Sequence, residues 1–301
     1  EDGKTVLRAL TNGALRIDNG KVKIDDLLVI KGDVDYVTGN IHFGGSVSIQ
    51  GTVLDNFSVV ANGDISINGP LGVGAVARIE SIYGSVYIKG GIFGKSIAKI
   101  KAEKDVFLKY CNETEVLANG DINIGFYALN STLTAQNIIL DQNKGRIIGG
   151  TATAVSSIVT GAVGNVSEIP TVLVIKGFDR EKTIEHQTKL MENYQKLRQD
   201  TAQVRLKLNG IEAKADGANL ANDKDYMKLK ETYETGIREI IRMEQEQKKI
   251  KQVLATKGEG SLVAFKGVQR KTHLTLKGLT KYFEESISGT FYYSHGELIQ
   301  E

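Results

Sequence analysis

Three residue types are nearly missing from this chain of 301 residues, which has one cysteine, two prolines and no tryptophan. The single cysteine, Cys111, excludes a framework of internal disulfides and most cysteine-based metal sites. Lys and Arg (38) nearly balance Asp and Glu (36), whereas proteins dedicated to nucleic acid usually carry a basic excess. No apolar run approaches the ~20 residues of a membrane-spanning helix, and residues 1–20 do not resemble a signal peptide. We therefore expect a cytoplasmic protein without an integral membrane segment or a nucleic-acid partner.

The residues that the chain has in abundance are distributed unevenly. Residues 1–178 hold 24 of the 33 glycines, whereas 31 of the 79 residues from 179 to 257 are charged. Such a shift in composition indicates a change of architecture. We predict four segments: N-terminal strands or a cap at 1–36, a β-helix at 37–178, a helical segment at 179–257, and strands at 258–301 that return to the β-helix.

A short motif, Val or Ile followed by any residue and then Ile or Leu, recurs through the first half of the chain. Its copies begin at residues 47, 65, 86, 106, 122 and 138, and a weaker strand-like triplet usually precedes each copy. Alternation with period two is typical of a half-buried strand, and the intervening Gly, Asn and Asp favour turns. Because each strand is too short to bury a core alone, stacked turns must share one.

This repeat predicts a mainly β protein built on a right-handed parallel β-helix with one turn per 16–21 residues. An antiparallel β-sandwich also has short alternating strands joined by turns and is the structural alternative. We favour the β-helix because companion strand, turn and main strand recur in a fixed order.

The charged segment predicts two helices that fold back as a long antiparallel coiled-coil hairpin, the first over about residues 181–209. Gly210 and Gly217 lie in the break between the helices, although one continuous helix in an intermolecular coil is an alternative. Thr201, Gly236 and Gln247 are imperfect seam positions, so we expect modest pairing. Apolar residues at 3-4 spacing define the seam: Leu190, Tyr194, Leu197, Val204, Leu208, Tyr226, Leu229, Tyr233, Ile240, Met243, Ile250 and Leu254.

No residue pattern predicts catalytic, metal-binding or cofactor-binding residues. The five aspartates nearest to repeat turns, at 33, 64, 105, 121 and 141, are expected to bond their own turn backbone. Cys111 is expected to be a buried, inert thiol. Aromatic and basic residues alternate at 83–89 and 104–110, as in a groove for a polymer strand, but the near-neutral charge argues against nucleic acid.

Several motifs together resemble the FapA family, flagellar assembly protein A, whose β-helix is similar to the C-terminal domain of MinC. Gly-Asp-Ile occurs at 63–65 and 120–122, and Gly-Arg-Ile-Ile-Gly-Gly at 145–150 is similar to the family's run leading out of the β-helix. The resemblance spans about residues 33–300. Family members usually carry a further N-terminal domain, whereas only some 30 residues precede the repeats here, so functions of that domain are not carried over.

The resemblance implies a non-catalytic scaffold that acts by protein–protein contact in bacterial flagellar assembly, recruited to the cell pole or flagellar base. MinC-like β-helices dimerise through a sheet face, so we expect a homodimer. A carbohydrate-active enzyme (lyase or hydrolase) on the same scaffold is the alternative, and a bactofilin-like polymer of rods is a third possibility. Candidate interaction residues lie on the β surface and at the helical break: Tyr83, Tyr87, Gly210, Ile211, Asn219 and Leu220.

Overall fold

The computed structural model describes residues 13–18, 21–213 and 223–301. The chain forms two compact units, one of residues Glu1–Gly177 with Gly258–Glu301 and the other of residues Phe178–Lys257. As described, the first unit is made of strands and the second of two helices.

Most strands of the first unit are short, and those of the parallel ladders each cross only one side of a narrow coil, whereas the first two strands form a separate antiparallel pair. The short strands before residue 125 are β1 (Ala14–Asp18), β2 (Lys21–Asp25), β3 (Leu27–Ile30), β4 (Ile41–Phe43), β5 (Ser46–Ile49), β6 (Ser58–Ala61), β7 (Ile65–Ile67), β8 (Arg78–Ser81), β9 (Val86–Ile88), β10 (Ile92–Phe93), β11 (Lys99–Ala102), β12 (Val106–Leu108), β13 (Cys111–Asn112), β14 (Glu115–Ala118) and β15 (Ile122–Ile124). The strands that follow are β16 (Tyr127–Leu140), β17 (Arg146–Val163), β18 (Thr171–Ile175), β19 (Ser261–Val268), β20 (Thr272–Leu276), β21 (Leu279–Phe283), β22 (Ile287–Ser294) and β23 (Glu297–Gln300).

The repeated motif forms one parallel ladder that runs the length of this unit. β3, β5, β7, β9, β12 and β15 pair in register, and the ladder continues through β16 and β17 to β19. In each copy the first and third residues are buried, as Val86 and Ile88 are, while the middle residue is half-buried or, like Tyr87, exposed. The result is a parallel β-solenoid of about eight turns. The predicted parallel β-helix is thereby confirmed, and the alternative of an antiparallel sandwich is wrong.

Two further ladders complete each turn. The companion strands β4, β6, β8, β11 and β14 pair in parallel and continue through β16, β17 and β18 to β20. The third ladder begins with single residues, where Val34, Val53, Val73 and Ile92 form isolated parallel bridges. It then includes Cys111 in β13 and passes on to β16. The sequence did not predict this third ladder, because one buried residue per turn shows no alternation.

In β16 and β17 the strands of consecutive ladders merge, so these two strands are far longer than the sequence predicted. β16 has 14 residues and β17 has 18. The chain still turns a corner within them because Asn130 and Gly149, which lie side by side, have positive φ angles of 46° and 66°. A Cβ on Gly149 would overlap the Asn130 side chain, so glycine is required at this corner for both its backbone angle and its small size.

At the C-terminal end, antiparallel strands follow the parallel ladders. β19 pairs in parallel with β17 and antiparallel with β22, while β20 pairs in parallel with β18 and antiparallel with β21. β22 pairs antiparallel with β23. Phe283 and Phe291 are buried there, with their ring centroids 5.1 Å apart, so these strands add apolar side chains to the core at that end.

The second unit contains the helices α1 (Arg180–Glu212) and α2 (Lys224–Ala255). Each begins at an aspartate: Asp179 accepts a hydrogen bond from the Lys182 N–H at 3.0 Å, and Asp223 accepts from the Tyr226 N–H at 3.2 Å. An N-terminal carboxylate satisfies free N–H groups and matches the positive end of the helix dipole. Neither helix, as far as the chain is described, is long and apolar enough to cross a membrane.

Candidate interaction surfaces

Polar side chains at one corner of the solenoid link successive turns. Asp64 Oδ1 accepts a hydrogen bond from the Ser85 N–H at 2.8 Å, and Asp105 Oδ1 accepts from the Asp121 N–H at 2.8 Å. The Asn137 amide donates to Asp121 Oδ1, also at 2.8 Å. The residues concerned lie one turn apart in the main ladder. These carboxylates are therefore built into the turn-to-turn contacts of the scaffold.

The expectation that the turn aspartates bond their own backbone was largely wrong. Asp33 Oδ1 accepts from the Thr52 N–H at 2.7 Å, which again joins two turns. Asp141 does bond the backbone of its own turn, at the N–H groups of Lys144 and Asn143, and these bonds lower the pKa of its carboxyl group. The partners of the other four lie in a neighbouring turn, 16 to 21 residues along the chain.

Cys111 occupies a position in the third ladder that Val or Ile fills in the preceding turns. Its side chain is fully buried and forms no disulfide, and burial raises the pKa of the thiol to about 12. A thiol with such a pKa stays protonated and is a poor nucleophile near neutral pH. In the described parts of the chain, no cluster of three or more His, Cys, Asp or Glu side chains is arranged to hold a metal ion.

The two tyrosines singled out from the sequence lie in different settings. Tyr83 is 68% exposed in the turn between β8 and β9. Tyr87 is 41% exposed on the outer side of the main ladder and stacks on Phe107 of the next turn, with centroids 5.0 Å apart and ring planes 4° apart. Ile139 lies in the same outward column, two turns beyond Phe107. The outer side of this ladder thus exposes three apolar side chains, Tyr87, Phe107 and Ile139, with Asn123 between the last two, and we call these three the Tyr87 column.

An open depression of about 540 Å³ adjoins the Tyr87 column at Phe107 and Ile139. Its lining also includes Asn123 and the loop residues Asp141 and Asn143. Apolar side chains and amide groups meet there on a rigid β surface. Such a surface suits contact with another protein better than acid–base chemistry, since Asp141 already accepts two backbone hydrogen bonds.

In the helical unit, the seam residues predicted from the sequence are all buried or half-buried, with Leu190, Leu208 and Ile250 the most enclosed. Side chains also join α1 to α2 by polar contacts. Tyr194 donates to Glu244 at 2.9 Å and His186 contacts Glu246 at 2.8 Å. The hydrogen bond raises the pKa of the Tyr194 hydroxyl.

The candidate residues at the break between the helices are only partly described. The placement of Gly210 and Ile211 in the break was wrong, because both lie in the last turn of α1, where Gly210 is exposed and Ile211 half-buried. Asn219 and Leu220 lie outside the described residues, so their part in an interaction surface stays a prediction.

Comparison with known proteins adds a family to this geometry. Residues 26–299 match the family model described as FapA, Flagellar Assembly Protein A beta solenoid domain. No curated protein and no solved structure matches the chain. The matched region includes nearly all of the solenoid and both helices.

Proposed function

The chain belongs to the flagellar assembly protein A family, and we propose on that basis that it is a non-catalytic scaffold. It acts by protein–protein contact and self-association in bacterial flagellar assembly or polar localisation. The observation that carries this proposal is the family match over residues 26–299. The surfaces described above would be the places where the scaffold contacts other proteins.

The inter-turn hydrogen bonds support a structural rather than catalytic use of the aspartates. A catalytic pair needs one carboxyl group with a raised pKa beside an ionised one. Asp64 and Asp105 instead each accept a hydrogen bond from a backbone N–H of the next turn, so these carboxylates link turns of the scaffold. Their recurrence follows the recurrence of the turn.

We further propose that α1 and α2 pair as an antiparallel coiled-coil hairpin that serves as a binding arm. Contacts between the two helices support this arrangement, because the residue number of the α2 partner falls as the residue number in α1 rises. Tyr194 meets Glu244, Thr201 meets Gly236 and Glu212 meets Tyr226. For the solenoid, we propose right-handed winding, as nearly all parallel crossover connections have.

Self-association is proposed to use the Tyr87 column, with Tyr83 as a neighbouring contact. Exposed aromatic side chains on a flat sheet bury a large area at little cost in side-chain entropy. A two-fold pair would match the column with itself. Light scattering should then give twice the 32.8 kDa mass of the chain.

The test replaces Tyr87 and Phe107 with Asp, which would place buried charges in such an interface. We expect the monomer mass for this variant and the dimer mass for Val166→Asp, a control at a residue that is 93% exposed in a loop. Circular dichroism checks that both variants are folded. A monomeric wild-type protein, or a dimer that survives the double substitution, would contradict self-association through this face.

The biological role is tested in a flagellated bacterium that encodes the chain. Deleting the gene should reduce the number of flagella or displace them from their normal position, as seen by electron microscopy. Complementation with the wild-type gene should restore both. Normal flagella in the deletion strain would contradict a role in flagellar assembly, whatever the oligomeric state of the purified protein.

A further inference from the structure

Aromatic and basic side chains from three successive turns meet at the corner that follows the main ladder. Tyr110 and Tyr127 stack with ring centroids 5.3 Å apart and planes 16° apart. Arg146 is the neighbour of Tyr127 in the next turn. We call the six residues of this surface the aromatic–cationic corner: Lys109, Tyr110, Phe126, Tyr127, Lys144 and Arg146.

Two ammonium groups share one ring at this corner. Lys109 Nζ lies 5.4 Å and Lys144 Nζ 5.9 Å from the centroid of Phe126. The ring face attracts both cations and restrains their positions, but it does not neutralise their charge. Their mutual repulsion would fall if an anion were bound between them.

None of the three cations of this corner lies within ion-pair distance of a carboxylate among the described residues, although Lys144 interacts electrostatically with Asp141 at longer range. Lys109, Lys144 and Arg146 are exposed and form no ion pair there. Several lysines elsewhere on the solenoid are paired, as Lys95 is with Asp55 at 2.7 Å. The acid closest in sequence, Asp141, directs one oxygen to backbone N–H groups of its own loop.

The rings of this corner are occupied on faces that a nucleic-acid base would need. Tyr110 is covered by Tyr127 on one side, and a Cβ on Gly91 would overlap its ring on the other. Phe126 lies beneath the two lysines. Single-stranded nucleic acids bind by stacking bases on free ring faces, so what this corner offers instead is hydrogen-bond donors with positive charge.

We propose that the aromatic–cationic corner binds an acidic protein segment, one rich in Asp and Glu, through its carboxylates. Lysine and arginine donate charge-assisted hydrogen bonds to carboxylates, and Arg146 can donate two in parallel. The inference rests on the proposed function in one respect, that the chain works by contact with other proteins, and it names the surface and the chemistry of the partner.

The probe is a fluorescently labelled peptide of about ten consecutive glutamates, long enough to span several turns of the solenoid. Its binding to the full chain is measured by fluorescence anisotropy at roughly 50 mM and roughly 500 mM NaCl, because charge pairing weakens as salt rises. We expect saturable binding at low salt and a loss of about tenfold or more in affinity when Lys109, Lys144 and Arg146 are all replaced by Ala.

A matched control removes the same charge elsewhere. Lys189, Lys196 and Lys248 are exposed on the helices, and their replacement by Ala should change the affinity by less than about twofold. A second variant, Phe126→Leu, keeps every charge and most of the apolar volume but loses the ring that holds the ammonium groups. We expect it to weaken peptide binding several-fold with no change in the melting temperature of more than a few degrees.

Three outcomes would overturn the proposal. They are no binding of the glutamate peptide, an equal loss of affinity in the helix control, and tighter binding of an oligothymidine of similar charge than of the peptide. The dimer test at the Tyr87 column reads mass rather than peptide affinity. Failure of self-association and failure of acidic-segment binding can therefore be told apart.

Discussion

Gly236 of α2 lies directly against Thr201 of α1: a Cβ on the glycine would lie 2.5 Å from the threonine Oγ1. Both residues are buried. Neither residue is a strong seam residue by sequence, and each was expected to weaken the helix pair. Facing each other, they let the two helices approach closely, because the absent side chain of one accommodates the hydroxyl and methyl groups of the other.

Substituting Gly236 with Ala should therefore destabilise the helical unit. Alanine gains about 1 kcal/mol of helix propensity over glycine, so the matched control is Gly210→Ala in α1, where a Cβ meets no atom within 4 Å. We expect the control to be stabilised, and Gly236→Ala to be less stable than the control by about 1–3 kcal/mol because of overpacking. Urea unfolding followed at the helical circular-dichroism band measures the difference, and Thr201→Ala in the same chain should reduce it. Equal effects at the two glycines would contradict the close contact.

The inter-turn hydrogen bond of Asp64 should contribute to the stability of the solenoid. Asp64→Ala leaves the buried Ser85 N–H without its acceptor, which should cost about 1–2 kcal/mol. Asp64→Asn keeps an acceptor oxygen at the same place, so its loss should be less than half as large. Thermal unfolding of the two variants beside the wild type provides the measurement. If Asn and Ala were equally damaging, the charge rather than the hydrogen bond would be responsible.

The Cys111 thiol should be unreactive in the folded protein. Burial raises its pKa from 9.0 to about 12, so a thiol reagent at pH 8 should modify it only after unfolding in denaturant. Because the pKa is higher in the folded state, the contribution of the protonated thiol to folding stability is complete below about pH 9 and is lost as pH rises towards 12. Cys111→Val should be tolerated at less than about 1.5 kcal/mol, since Val fills this position in earlier turns. Rapid labelling under native conditions would show that the thiol is accessible.

The solenoid should fold without the helices. Gly177 and Glu259 lie close together, because a Cβ on Gly177 would be 2.9 Å from the Glu259 carbonyl oxygen. A linker of about four Gly and Ser residues can thus replace residues 178–257 without straining the strands on either side. We expect a β-type circular-dichroism spectrum and a cooperative melting transition within about 8 °C of that of the intact chain's β unit. An aggregated or unfolded product would indicate that the strands need the helical unit.

The sequence predicted the elements whose residues repeat with a regular period. It missed the features that depend on contacts between residues distant in the sequence. The main ladder could be predicted because Val86 and Ile88 alternate with an exposed residue. The bridge residues Val34, Val53 and Val73 have no such pattern. β16 is long because strands of consecutive ladders join there without a loop between them. Likewise, 3-4 spacing predicted helix residues that are buried or half-buried, but the match of Thr201 with Gly236 depends on which residues face each other.

The same distinction applies to the candidate surfaces. Tyr87 was recognisable as an outward residue of its motif, whereas its stacking on Phe107 depends on the register between turns. Phe126 and Lys144 are separated by 18 residues, close to one repeat of the solenoid. Only the winding of the chain brings them together, so the aromatic–cationic corner could not be predicted from local composition.

The last turn of the solenoid is completed late in synthesis, because its strands lie on both sides of the helices in the sequence. β17 and β18 emerge before the helices, but their partners β19 and β20 follow the helices. During synthesis of residues 178–257, the growing solenoid therefore ends in unpaired strand edges, which are the part of a β protein most prone to joining another chain. We expect chaperones to engage nascent chains most strongly in that interval, and their binding to cease once β20 has emerged.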